Sequence, residues 1–177
     1  MQTSKTPTIE RLHARHAAAY RELMLDAYTH HPEAFTSSPE ERAALPLSWW
    51  EHRLDDAEDA GQVVFGILDG ETVLGAVGLT FSSRQRARHK VLLFGMYVVA
   101  EQQGKGYGQA LLEAALDYAR HRPDALLVQL TVSEDNPSAR KLYEHNGFES
   151  FGLEPLAVAT GAGFISKVHM WRALREL

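Results

Sequence analysis

Glu101 to Ala119 reads EQQGKGYGQALLEAALDYA and follows, one residue on, the apolar run VLLFGMYVV at Val91–Val99. The order is strand, glycine loop, helix. A helix amino terminus leaves backbone N–H groups without intrahelical partners and carries partial positive charge, so an anion can sit there. Gly104, Gly106 and Gly108 let that backbone come close, and Lys105 adds a charge beside it. A tight strand-to-helix turn is the other reading of the same loop. A dinucleotide fingerprint needs G-x-G-x-x-G with an acid ending the next strand. Here the spacing is G-x-G-x-G, and Asp124 precedes its strand. The Walker pattern G-x-x-x-x-G-K-[ST] is absent. Nicotinamide and nucleoside triphosphate readings both weaken, and a phosphate of another ligand stands ahead of them.

Working outward, Val91–Val99 is apolar on both faces and predicts a central strand, with a helix over Lys105–His121 and a further strand over Ala125–Val132. That helix-linked pair predicts a parallel crossover. Upstream, Thr8–Leu12 reads as a short strand. Tyr20, Leu23, Met24, Ala27 and Tyr28 recur at helical spacing, and a second helix is expected around Ser48–Leu54. Between the two, FTSSPEERAALP reads as a loop. Gln62–Leu68 and Leu74–Phe81 form a hairpin about Asp69-Gly70-Glu71. Downstream, Asn136–Asn146 is a short helix closed by Gly147. Phe148–Glu154 and Phe164–Trp171 form a last hairpin around Ala159–Gly163. The predicted fold is α/β (α+β), a mixed, mostly antiparallel sheet of about seven strands flanked by helices.

The chain has 177 residues, 45% hydrophobic and 23% charged, which predicts a single domain over 1–177. A net charge of −5 argues against nucleic acid or an anionic membrane as partner. With no cysteine, thiol nucleophiles, disulfides and thiolate metal sites drop out. The polar start MQTSKTPTIE lacks a signal-peptide core, and no apolar run is long enough to span a membrane. A cytoplasmic location is the expectation.

Met96 to Gly108, ending in Gln103-Gly104-Lys105-Gly106-Tyr107-Gly108, resembles the [RQ]-x-x-G-x-[GA] motif of the GCN5-related N-acetyltransferases. Asn136-Pro137-Ser138-Ala139-Arg140-Lys141-Leu142-Tyr143-Glu144-His145-Asn146-Gly147-Phe148 is similar to that family's second motif, N-x-x-A-x-x-x-Y-x-x-x-G-F. The strand order matches from Thr8 to Leu177. The resemblance implies acetyl-CoA as co-substrate, held between two splayed parallel strands. Met96 and Val98 would bind the pantetheine arm, and backbone N–H groups of Gln103, Gly104, Lys105, Gly106, Tyr107 and Gly108 the pyrophosphate. Asn136 would assist from the start of its helix, though Asn before Pro is also a sound helix cap.

The implied reaction is direct attack of a primary amine, from a small molecule or a peptide, on the acetyl thioester. Tyr143, with a parent pKa of about 10, would protonate the departing thiolate; packing against Leu142 and Phe148 is its competing structural role. Lys90–Val99 contains no acid, so the amine would lose its proton through water, with His89, Glu154 and His169 as further base candidates. The acceptor would lie against the first helix–loop–helix and the last hairpin, which nominates Phe35, Trp49 and Glu154. The resemblance allows a homodimer. A regulatory acyl-CoA-binding module without transferase activity is the alternative function, and a nucleotide-binding domain a third.

Two other signals are set aside. Arg84–Lys90 is basic but lies at the far end of a nine-residue strand from the glycine loop, ~30 Å away, and reads as a solvated loop. His13/His16 and His30/His31 lack the carboxylate spacing of a zinc helix, so no metal is expected. Trp49 and Trp50 are adjacent, so on a helix one faces the core and the other borders the acceptor side.

Overall fold

Aliphatic and β-branched runs dictate the frame. The computed structural model describes residues 6–177, with strands β1 (Thr8–Arg11), β2 (Gln62–Asp69), β3 (Thr72–Phe81), β4 (Lys90–Val98), β5 (Leu127–Ser133), β6 (Glu149–Thr160) and β7 (Gly163–Ala173). They form one sheet in the order β1-β2-β3-β4-β5-β7-β6. Every neighbouring pair is antiparallel except β4 and β5. The crossover between those two is α4 (Tyr107–His121), as a parallel connection requires.

Helices cover both faces. α1 (Ala17–His30) buries Ala17, Tyr20, Leu23, Met24, Ala27 and Tyr28 at three- and four-residue intervals. With α3 (Leu47–His52) it closes one core, in which Trp50 is fully buried edge-on to Tyr20 at 5.8 Å. α4 turns Leu111, Leu112, Ala115, Leu116 and Ala119 onto the opposite face, where they meet Val77, Leu79, Val91, Val128 and Met170. Each leucine so buried contributes about 1.5–3 kcal/mol. No helix among the described residues is long and apolar enough to cross a membrane.

The structure departs from expectation in three places. FTSSPEERAALP is not simply a loop: Pro39–Ala43 forms a helix, α2, capped reciprocally by Ser38 and Glu41. Arg21 ties its end down by donating to the Ala43 carbonyl at 3.0 Å. α4 begins at Tyr107 and not at Lys105, because Gly104 and Gly106 adopt φ of +76° and +84°, outside the helical region. The last hairpin is longer than predicted, its strands separated only by Gly161 and Ala162. Its outer strand β6 forms an edge of the sheet and exposes Phe151, Leu153 and Leu156. The β6–β7 ladder is interrupted between Glu154 and Val158, where Leu156 takes φ of +53° immediately after Pro155.

The Tyr20 hydroxyl is buried without a hydrogen-bond partner. Burial pushes its pKa from 10.0 to about 12, against the opposing charge of Arg53. Below pH 10 the phenol is neutral in both states and folding stability is at its full value; as pH rises through the folded-state value the unfolded chain ionises first, and stability falls by about 3 kcal/mol for two units. Chemical denaturation of Tyr20→Phe from pH 8 to 11.5 should therefore show near-normal stability at pH 8 and a shallower alkaline loss than the parent. An unchanged alkaline slope would mean that Tyr20 does not set it.

Candidate functional site

The site originates in a break between β4 and β5. The parallel ladder covers only Lys90–Leu92 against Leu127–Gln129. On the other side of β4, Ala76 pairs with Tyr97 and Gly78 with Phe94, so β4 carries one more residue than β3 across this step. Gly95 lies in that bulge with φ of +62°, a conformation glycine adopts without penalty. Meanwhile β5 continues straight along β7 as far as Ser133 opposite Lys167. The two strands therefore part, and a cavity of about 400 Å³ opens between them. Phe94, Gly95 and Met96 line it from β4, and Thr131, Val132 and Ser133 from β5.

Beyond the carboxyl end of β4 a turn over Ala100–Gln102 leads into the glycine loop. Cβ atoms built on Gly104 or Gly106 would meet no protein atom within 4 Å, so the backbone is open on that side. α4, fifteen residues long, has no acidic residue in its first turn, which leaves its positive end uncompensated. Lys105 Nζ donates to Gln102 Oε1 at 3.0 Å. Gln103 has a different task from its neighbours. Its N–H is engaged with the Ala100 carbonyl at 3.3 Å and its side-chain amide donates to the Val98 carbonyl at 2.9 Å. It braces the loop against the strand, and it occupies the Val98 oxygen in doing so.

α5 (Pro137–His145) starts at Asn136, whose Oδ1 accepts from the Ala139 N–H at 3.1 Å, so the capping role is present. Asn136, Ala139 and Tyr143 all reach the cavity. Tyr143 is 5% exposed and packs edge-on to Phe148 at 5.7 Å. Burial raises its pKa well above the ordinary phenol range, so it stays protonated at neutral pH. No described residue hydrogen-bonds its hydroxyl. α5 is pinned to α4 by a two-way amide contact in which Gln109 donates to Asn146 at 2.9 Å and Asn146 to Gln109 at 2.8 Å. This pin holds Tyr143 at a set distance from the glycine loop.

Of the acceptor-side residues, Phe35 lines the cavity, packed edge-on to Tyr28 at 5.1 Å. Trp49 stands one layer back, half-buried beneath the guanidinium groups of Arg42 and Arg53. Glu154 stands opposite Lys167 on the same face of the hairpin but does not itself line the cavity, and its carboxylate is hydrogen-bonded to His169 Nε2 at 2.7 Å. Cross-strand pairing sets His169 opposite Thr131, itself a wall residue. His89 lies at the start of β4, where its carbonyl accepts from Leu126 and Leu127, remote from the wedge. Ser133, Arg42, Arg53 and Lys167 also reach the cavity. Sequence reasoning does not find these four, because they come from separate elements with no shared spacing.

Comparison with known proteins bears on the family and the fold. Residues 18–148 match the family model described as "Acetyltransferase (GNAT) family". An L-amino acid N-acetyltransferase of Escherichia coli is 28% identical over 123 residues, covering 70% of this chain and 74% of that protein. A GNAT-family acetyltransferase structure from Streptococcus pneumoniae superposes with a TM-score of 0.81 at 22% identity, over 94% of this chain and 98% of that one. A phosphinothricin acetyltransferase from Sinorhizobium meliloti, in complex with AcCoA, gives 0.80 at 20% identity, over 96% and 89%. At those identities the two structures establish the shared fold.

Gly78 explains how Phe94 reaches the wall: a Cβ there would lie 2.3 Å from the Phe94 ring. Gly78→Ala should cost about 1–3 kcal/mol in chemical denaturation by overpacking, and pairing it with Phe94→Leu should recover most of that loss. Equal stability of the single and double variants would show that the ring is free to move.

Proposed function

Because this chain belongs to the acetyltransferase (GNAT) family, we propose that it carries an acetyl group from acetyl-CoA to a primary amine of a small molecule or peptide, in one step within a ternary complex. Family membership makes it an acyltransferase that draws on acetyl-CoA. The observation that carries the site assignment is the wedge between β4 and β5, with an open helix amino terminus at one end and a protonated tyrosine in its wall.

The residues suit the co-substrate. On its β5 side β4 is unladdered from Leu93 to Val98, and there the backbone groups of Met96 and the Val98 N–H, its carbonyl being taken by Gln103, suit an amide-containing arm, as an edge strand suits an added strand. N–H groups of Gly104 to Gly108 at the start of α4 suit a pyrophosphate, with Lys105 alongside. Asn136, at the mouth of α5, completes the arm's environment. Gln103 shapes the loop.

Bound acetyl-CoA supplies an acyl carbon activated by its sulfur. The amine nitrogen attacks that carbon, a C–N bond forms and the C–S bond breaks. A β4 N–H beside the carbonyl oxygen would stabilise its developing charge. Tyr143 gives its proton to the leaving sulfur. The amine's surplus proton leaves through water, and the His169–Glu154 pair, on the strand flanking Thr131, provides a place for it to go. Phe35 bounds the acceptor side, and Trp49 backs the Arg42 and Arg53 guanidinium groups that reach it. A cytoplasmic setting belongs to the same reading.

Tyr143→Phe should lower kcat by about 10²–10⁴-fold, the usual worth of a positioned acid, while the Kd for acetyl-CoA changes little. Thiol release and calorimetric titration measure the two. Full turnover in Tyr143→Phe would remove the residue from the mechanism. Tight acetyl-CoA binding with no acceptor-dependent thiol release across amino acids, polyamines, aminoglycosides and peptides would favour a regulatory acyl-CoA-binding module instead.

A further inference from the structure

The acceptor side of the cavity carries an excess of positive charge. Arg42 from α2, Arg53 at the end of α3 and Lys167 from β7 all reach its wall, and no Asp or Glu does. Among the described residues, none of the three forms a salt bridge. The two guanidinium groups are held in place by stacking. They lie 4.5 Å and 4.4 Å from the Trp49 ring centre, and Arg53 is also 4.9 Å from that of Phe94. Their Nε atoms are buried with no hydrogen-bond partner. The hydroxyl of Ser133, a residue only 3% exposed, is equally unpartnered. Lys167 donates to Thr36 Oγ1 at 3.2 Å. Glu154, across the strand pair from Lys167, is engaged with His169.

Half-buried cations and orphaned donors are costly unless something answers them. The pyrophosphate is not that something. The glycine loop lies past the carboxyl end of β4, and Gln103 to Gly108 contribute nothing to this wall. The rest of the lining is mixed: Met24, Tyr28, Phe35, Leu92 and Phe94 give it an apolar stretch, beside the uncharged polar side chains of Thr36, Gln62, Thr80 and Thr131.

We propose that the acceptor is a free α-amino acid with an apolar side chain, its carboxylate bound by Arg42 and Arg53 with Lys167 alongside, and its body against Phe35 and Phe94. This rests on the transferase reading of the same cavity and narrows it. A carboxylate offers the planar oxygens that guanidinium forks bind best. Polyamines are disfavoured, since their second cation would enter a field of three like charges. A peptide amino terminus presents an amide where the carboxylate belongs and leaves the arginines unanswered.

The test compares L-leucine, L-leucinamide and spermidine as acceptors by thiol release from acetyl-CoA, at matched concentrations of free amine. Leucine should exceed leucinamide in kcat/KM by about 10–100-fold, the worth of a charge-assisted contact. In Arg42→Met and Arg53→Met that preference should fall several-fold while KM for acetyl-CoA holds; Arg→Lys at the same positions should restore part of it. Calorimetry with the product analogue N-acetyl-L-leucine and coenzyme A gives a readout independent of turnover, with binding weakened in the Met variants. Leucinamide or spermidine serving as well as leucine, or a preference that survives in both Met variants, would overturn the acceptor assignment and leave the transferase standing. No release with any acceptor, despite acetyl-CoA binding, would overturn both. If the Met variants do not fold, the acid-to-amide ratio of the parent protein decides alone.

Discussion

Three residue pairs of parallel ladder join β4 to β5, and the rest of the architecture is arranged around their early end. A β-sheet normally continues its ladder, because unpaired backbone groups in a protein interior are expensive. Here the bulge at Gly95 turns β4 away while β7 keeps β5 straight. The amide groups left over line a cavity that can be re-paired by an extended ligand. A sheet defect is thus, in the proposed function, the binding slot, with the open amino terminus of α4 at its end. The same bulge gives the β4 residues Phe94 and Met96 their places in the cavity wall.

The slot has two ends that must act together, and the structure joins them mechanically. Gln109 sits in the first turn of α4, next to the glycine loop; Asn146 sits at the close of α5, three residues after Tyr143. Their reciprocal amide contact ties the first turn of α4 to the end of the helix that carries Tyr143. Side-chain amides suit this task because each donates and accepts at once. Positional accuracy of this sort matters most where a proton must cross a short gap.

What was legible in the chain was whatever is encoded locally. Gly104 and Gly106 need positive φ, the helix after them has an apolar stripe, and Asn136-Pro137 is a helix start by its own chemistry. Local rules therefore recover the glycine turn, the crossover and the start of the helix that carries Tyr143. The helix α2 was equally readable, since Ser38-Pro39-Glu40-Glu41 is a capping box with proline at the first position; the surrounding proline and serine content hid it. Arg42, Arg53 and Lys167 obey no local rule. They converge from α2, α3 and β7 only after the sheet has formed, and each alone looks like a surface cation. The brace role of Gln103 was hidden for a related reason, as it depends on where the Val98 carbonyl points.

The outer edge of the sheet carries a consequence for how this molecule behaves among its own copies. β6 exposes Phe151, Leu153 and Leu156 along an unpaired edge, the configuration from which strand-to-strand stacking begins. Pro155 lacks an N–H to offer, and the positive φ at Leu156 breaks the register between Glu154 and Val158. Any foreign strand docking there would find two short templates out of phase with one another. The edge is thereby left greasy but not contagious: side chains can still make contact across it, while an open-ended ladder cannot propagate.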